Sequence, residues 1–290
     1  MLLDEFRSHL VCIVCCADLT SAYSGFVCTR CGKSYPVRGR KLWAVPTETA
    51  VSYEQDVSRS FESRLKNFFQ KVPWFYRALV CLFAPGSVPG GFAVHHALSR
   101  IPPEARAIVN LGSGTKRIAP HILNLDVLPF ENVDVVADME HLPFRDGSLD
   151  MVISECALEH VPAAPQAIVE ITRVVKPGGF VYVVVPFLYP YHESPNDYFR
   201  WTKSGLIQQF SNFEQVAVGM WAGPMATLVG VLAAWLALLF SVRSRALYTA
   251  LMHLFLLLLA PLKLLDPLFR LSPMAEDIAS VLYFFGRKKF

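Results

Sequence analysis

The chain has 290 residues, with 27 Lys and Arg against 24 Asp and Glu, a formal net charge of +3, and 53% hydrophobic residues. A charge so near balance gives no global electrostatic case for a nucleic-acid partner, and the length suits one large domain with a small one. The apolar excess is concentrated between Pro224 and Leu265, so the tail poses a question separate from the rest of the chain.

Five of the seven cysteines fall within the first 31 residues. "CIVC" and "CTRC" set Cys12 and Cys15, then Cys28 and Cys31, in two CxxC knuckles twelve residues apart. An odd count with paired spacing argues for metal and a reducing compartment, not a disulfide framework. Two knuckles on facing hairpins make a tetrahedral four-sulfur site, which zinc prefers. Unligated or redox cysteines are the alternative. Cys16 is a spare that would otherwise replace Cys15. No secretory signal is read in residues 1–30: Asp4 and Glu5 precede the apolar run Leu10–Cys16, and cysteines interrupt it. The segment through "CGKSYPVRGRKLW" resembles the small zinc-binding activator proteins that partner tRNA and release-factor methyltransferases. A closed four-sulfur site leaves no open position for substrate, so the zinc is expected to be structural. Arg38, Arg40 and Lys41 would form either a docking face or a solvated loop.

A ribbon module is therefore expected over residues 1–46. Residues 47–91 are expected to be a helical linker. "RLKNFFQKVPWFYRALVCLFAP" mixes aromatic and basic residues, as a membrane interface or a packed helical pair would. "PGSVPGG" (Pro85–Gly91) then breaks the chain before the main domain at 92–290.

Runs rich in Val, Ile and Leu follow at Arg106–Leu111, Ile122–Val127, Val133–Asp138, Leu149–Ser154 and Phe180–Val185, with a helical pattern at Ala164–Val175. They show little alternation, as strands buried on both faces do. This predicts a doubly wound, mostly parallel α/β sheet, with ligands at the carboxyl ends of the strands. Gly112 and Gly114 follow the first strand, Asp126 ends the second, Asp138 and Met139 end the third, and "ISECALEH" follows the fourth.

A lone GxG means little more than a tight turn. The series "D…LPF…SLDMVIS…LEHV…VVKPGG" is more specific. It resembles the class I S-adenosylmethionine (SAM) dependent methyltransferases, the type 11-like branch in particular, which implies a seven-stranded Rossmann-like sheet. That resemblance implies that Gly112 and Gly114 line the methionine part of SAM, Asp126 holds the ribose, Asp138 and Met139 flank the adenine, and Cys156 lies beside the cofactor. Asn110 stands where the motif is usually acidic. Only eleven residues, 115–125, separate Gly114 from Asp126, so the first crossover helix is expected to be one turn or absent. A dinucleotide needs that helix's N-terminus for its pyrophosphate and SAM does not, so the shortening favours SAM.

"PFLYPYHESPNDYFRWTKSGL" follows the fifth strand and is expected on the ligand face. His192 is a candidate general base for a hydroxyl acceptor, with Asp197, Tyr198, Arg200 and His160 as further candidates on the substrate side. The alternative is that these residues only brace the loop. Methyl transfer from a sulfonium can also proceed by alignment alone.

Sixth and seventh strands are read at Phe213–Trp221 and Ala279–Phe285, the seventh antiparallel, with the apolar segment 224–265 inserted between them. Its two runs, Pro224–Phe240 and Ala246–Leu262, have 17 residues each and no Asp, Glu, Lys or Arg. A full span needs about 20 residues, so a spanning hairpin, a partly inserted one and a helical cap on protein all stay open. Arg243 and Arg245 between the runs argue against spanning, by the positive-inside tendency. The expectation is a methyltransferase on the cytoplasmic side of a membrane, with a lipid-linked glycan, isoprenoid or similar amphiphilic acceptor, and O-methylation favoured. The rivals are action on RNA or protein through the ribbon, and a non-catalytic SAM-binding membrane adaptor.

Overall fold

The computed structural model describes residues 2–45, 92–192 and 196–290, so the linker expected at 47–91 lies outside the described residues. The N-terminal part runs through helix α1 (Leu2–Glu5) and strands β1 (Leu19–Ala22), β2 (Gly25–Cys28), β3 (Ser34–Arg38) and β4 (Lys41–Trp43). Helix α2 (Val94–Leu98) precedes β5 (Ile108–Leu111), β6 (Leu123–Asp126), β7 (Val135–Val136) and β8 (Leu149–Glu155). Then come α3 (Ala164–Val174), β9 (Val175–Pro186), α4 (Lys203–Gln209) and β10 (Phe213–Ala222). Helices α5 (Pro224–Phe240), α6 (Arg245–Leu259) and α7 (Asp266–Phe269) lead to β11 (Val281–Lys288).

The strand order is β1-β2-β3-β4-β7-β6-β5-β8-β9-β11-β10. Strands β7, β6, β5, β8 and β9 are mutually parallel, and β11 lies antiparallel between β9 and β10. This is the Rossmann-like α/β sheet expected from the runs of Val, Ile and Leu, with the insertion between its last two strands in sequence. The ribbon adds to its edge. β4 pairs in parallel with β7, Leu42 opposite Val135 and Trp43 opposite Val136. Val11 N–H donates to the Pro143 carbonyl at 3.0 Å and Arg145 N–H to the His9 carbonyl at 2.7 Å. Leu3, Phe6, Leu10, Tyr35 and Leu42 share one buried cluster with Val109, Leu123 and Val152, so the two parts have a common core.

Alternating residues of the central strands face two layers. Val109, Leu111, Leu125 and Val183 pack with Ile168 and Ile171 of α3 and Leu206 of α4. Ile108, Met151, Ile153, Tyr182 and Phe285 pack on the other side with Ala97 of α2 and Ala226 of α5.

Three details differ from the sequence reading or sharpen it. No helix links β5 to β6. Its place on the sheet is taken by α2, Ile118 and Ala119. The third strand is much shorter than Val133–Asp138, because Val133 and Val136 turn onto Trp43, Val45 and Phe130 while Asp134 pairs with Arg117. Helical turns continue past the second apolar run: α6 ends at Leu259, but the helical segment runs over Arg245–Phe269, 25 residues.

Candidate active site and zinc ribbon

Parallel strands bring their carboxyl ends to one edge, and the residues expected at the cofactor do gather there. Gly112 has φ +63°, and a Cβ on it would fall 2.3 Å from the Ala157 Cβ and 2.7 Å from the Met139 Cε. Packing against protein therefore requires glycine at this position. Gly114 has φ +53°, and a Cβ there would meet nothing within 4 Å, so its glycine serves the turn and faces open space. Asp126 Oδ2 accepts from Gly114 N–H at 2.8 Å and Oδ1 from Leu128 N–H at 2.9 Å. Asp138 Oδ1 accepts from Glu140 N–H at 2.9 Å. Cys156 stands exposed at the end of β8 with φ +50°. Lys116 reaches from the loop after β5 to Glu155 beside it.

Asn110 is 3% exposed, and its Nδ2 donates to Asn124 Oδ1 at 3.2 Å. Asn124 in turn donates through Nδ2 to the carbonyls of Lys116 at 3.0 Å and Asn132 at 3.1 Å. The structure uses a hydrogen-bond donor at this point, which an ionised acidic residue would not supply. Asn124 belongs to the site's scaffold and was missed in the sequence, where an amide inside an apolar strand carries no chemical signature.

The substrate-side candidates form a second group, from the turn after β8 and the loop after β9. The loop residues Glu193–Pro195 lie outside the described residues. Arg200 grips the Asp197 carboxylate with both terminal nitrogens. Asp197 Oδ2 accepts from His192 N–H at 3.1 Å and lies 3.2 Å from His192 Nδ1. Burial would raise the Asp197 carboxyl, but Arg200 and His192 hold it below the usual carboxylate range. Burial, with His160 nearby, pushes the His192 imidazole down to about 4, so it is neutral across physiological pH. Burial, with the charge of Arg200, lowers His160 as well, and one of its ring nitrogens bonds the Asn196 carbonyl at 2.6 Å. Tyr198 N–H donates to the Glu159 carbonyl at 2.7 Å, fastening the loop to the turn.

Glu159, which sequence reasoning passed over, sits at the centre of this group. It is 0% exposed, and neither carboxylate oxygen has a hydrogen-bond partner among the described residues. Its carboxyl is pushed up to about 8, first by burial and then by the charge of Asp197. A buried polar group without a partner costs about 1–3 kcal/mol, so this one marks a place with a purpose beyond folding. The signal present in the sequence was its position between Leu158 and His160 at a strand's carboxyl end.

In the ribbon, the sulfurs of Cys12, Cys15, Cys28 and Cys31 lie within 4.8 Å of one another. The Cys12–Cys31 and Cys15–Cys28 distances are 3.6 and 3.4 Å. Tetrahedral zinc with bonds of about 2.3 Å sets sulfurs about 3.8 Å apart, so the four residues fit that ion. Burial opposes ionisation of Cys12, but the Tyr35 hydroxyl, donating at 3.0 Å, and nearby N–H groups bring its thiol down to about 6. Cys16 has φ +55° and stands outside the cluster.

An antiparallel seventh strand beside a parallel sheet, with a glycine turn and a carboxylate at the next strand's end, is the arrangement that the resemblance to class I SAM-dependent methyltransferases led us to expect. Residues 111–183 match the family model for a methyltransferase domain (Methyltransf_11). The chain is 46% identical over 55 residues to an uncharacterized chloroplast methyltransferase of Arabidopsis thaliana, covering 19% of this chain and 15% of that protein. It is 34% identical over 113 residues to a malonyl-[acyl-carrier protein] O-methyltransferase of Geobacter sulfurreducens, covering 36% of this chain and 41% of that one. These matches span less than half the length of either relative. Among solved structures, a complex of the Haloferax volcanii Trm112 methyltransferase activator with a methyltransferase aligns over 68% of this chain and 89% of that one, at 20% identity and a TM-score of 0.41.

Proposed function

We propose that this protein transfers a methyl group from SAM to an amphiphilic acceptor at a membrane, on the cytoplasmic side. The acceptor class is a lipid-linked glycan, an isoprenoid or a similar molecule, and O-methylation is favoured. What carries the reading is the meeting of an apolar hairpin with the acceptor-side loop. Gly230 of α5 packs where a Cβ would lie 3.2 Å from Pro190 Cδ and 3.5 Å from Tyr189 Cε2. The Tyr189 ring lies 5.3 Å from that of His192. Helix α5 buries Ala226, Val229, Ala233 and Ala237, whereas none of the 15 residues of α6 is buried. Trp235, Leu238, Leu239, Leu254 and Leu258 are all exposed. An apolar patch of this extent marks an interaction surface. The segment Arg245–Phe269 is long and apolar enough to cross a membrane by length and composition.

The neutral state of His192 keeps it available as an acceptor, but its depressed basicity makes it a weak general base, and transfer from a sulfonium can rest on alignment of the reactants. Incubation of the full chain with tritiated SAM and a native membrane extract, followed by separation of lipid, glycan, RNA and protein, tests the acceptor class. Label in the lipid or glycan fraction is expected. Label confined to RNA or protein would refute it in favour of action through the ribbon, and bound SAM with no label anywhere would favour a non-catalytic adaptor. Replacing Asp126 by Ala should weaken SAM binding about 10- to 100-fold, as loss of a charge-assisted hydrogen bond of about 1.5–3 kcal/mol requires.

A further inference from the structure

From Glu159, His160 and His192 we infer a second metal site, distinct from the four cysteines, that takes a divalent ion of the zinc class beside the acceptor. One Glu159 oxygen and one ring nitrogen from each histidine lie within 4.8 Å of one another. The Nε2 atoms of His160 and His192 are each 3.9 Å from Glu159 Oε1. That is too long for a hydrogen bond. It is about half an ångström wider than the donor spacing around a tetrahedral ion with bonds of about 2.0–2.2 Å.

The outward nitrogens are held as metal-bound histidines are held. A histidine ligand bonds through its second nitrogen to a carboxylate or carbonyl, which fixes its tautomer and aim. His160 Nδ1 bonds the Asn196 carbonyl at 2.6 Å. His192 Nδ1 bonds the Pro190 carbonyl at 3.4 Å and lies 3.2 Å from Asp197 Oδ2, and Arg200 pins that carboxylate. Both rings are thereby left to present Nε2 toward one carboxylate. That carboxylate is fully buried and has no partner among the described residues. Two imidazoles and one carboxylate suit zinc and its neighbours in the first transition series, and three protein ligands leave a position open. The side chains of His160 and His192 are 15% and 29% exposed, so a ligand can reach them from solvent.

The inference rests on the acceptor-side reading above for its chemical use. An acceptor hydroxyl bound at the open position loses its proton to water more readily, because the cation stabilises the alkoxide. The alkoxide oxygen then forms the new C–O bond as the methyl–sulfur bond breaks, and the bonding pair returns to sulfur to give the neutral thioether S-adenosylhomocysteine.

Metal counting tests the site without any acceptor. The full chain equilibrated with Zn²⁺ and desalted should carry two equivalents by elemental analysis. Glu159→Gln, His160→Ala and His192→Ala should each carry one, with SAM binding and a single cooperative melting transition retained. Cys12→Ser should lose the other equivalent. Cobalt offers a second readout: wild type should show d–d bands beyond those that accompany the thiolate charge-transfer bands, and Glu159→Gln should lose only that extra set. Asp197→Asn, which alters the group positioning His192, should weaken the second equivalent about 10- to 100-fold. Equal zinc in wild type and the three ligand variants, or cobalt spectra unchanged by Glu159→Gln, would overturn the inference. Either result would leave the membrane-acceptor reading standing, and two bound equivalents with no lipid or glycan product would do the reverse.

Discussion

Restoring the usual acidic residue at position 110 should damage this protein. Asn110 donates to Asn124 Oδ1 at 3.2 Å in a site only 3% exposed. Asn110→Asp keeps the shape but replaces the donor with a carboxylate oxygen. Asn124 cannot flip to compensate, because its amide N–H groups already serve the Lys116 and Asn132 carbonyls. The lost bond is worth about 1 kcal/mol, and leaving Asn124 Oδ1 without a donor beside a buried charge adds about 1–3 kcal/mol, so a loss of roughly 2–4 kcal/mol follows. At about 1.4 kcal/mol per unit, the new carboxyl group titrates in the folded state roughly 1.5–3 units above its unfolded value near 4. A raised folded pKa means that the protonated, donating form is favoured in the fold. The penalty is therefore small below about pH 4, grows as pH rises and is complete above about pH 7. Urea denaturation of wild type and variant across pH 4–8 measures the gap. A variant as stable as wild type at pH 8, or a gap that does not change with pH, would refute the reasoning.

Asp266 Oδ1 accepts from Met225 N–H at 2.8 Å, so a residue beyond the hairpin caps the first turn of α5. Asp266→Ala should cost about 1–2 kcal/mol of stability, read by thermal melting, and no change would mean that α5 needs no cap. Asp150 Oδ2 accepts from Arg106 and Ala107 N–H at 2.7 and 2.8 Å, and Lys176 pairs with it. Although burial would raise it, those partners hold its carboxyl below the usual range. Its stabilisation is thus present above the unfolded pKa near 4 and lost as pH falls through the lower folded value. Asp150→Asn should flatten the acid limb of the stability profile, and an unchanged limb would exclude that role. Cys28→Ser should remove the ribbon's zinc. Because Cys28 shares the buried cluster that holds Val109 and Val152, the whole chain should then melt earlier in one transition. An early separate transition confined to residues 2–45 would contradict a common core.

Much of the site was legible in the chain because its chemistry is local. Paired CxxC spacing points four thiolates at one centre, and the structure brings those four sulfurs together while leaving Cys16 aside. Gly112 and Gly114 follow a strand, and Asp126 ends the next, in an order the apolar runs already implied. The missing helix followed from counting residues 115–125. The third strand was misjudged in length, since partners set its ends, β4 on one side and Arg117 on the other.

What the sequence determined by itself was the order of elements, the metal-binding residue types and the glycine turn, each encoded by neighbours a few positions apart. Only the tertiary structure decided that the ribbon's last strand extends the main sheet, because β-pairing joins backbones that share no sequence pattern. It alone placed Asn124 behind Asn110, and it alone set His160 and His192, 32 residues apart (192 − 160), around the same buried Glu159. Burial and the aim of a side chain depend on everything packed around it, and no spacing along the chain records them.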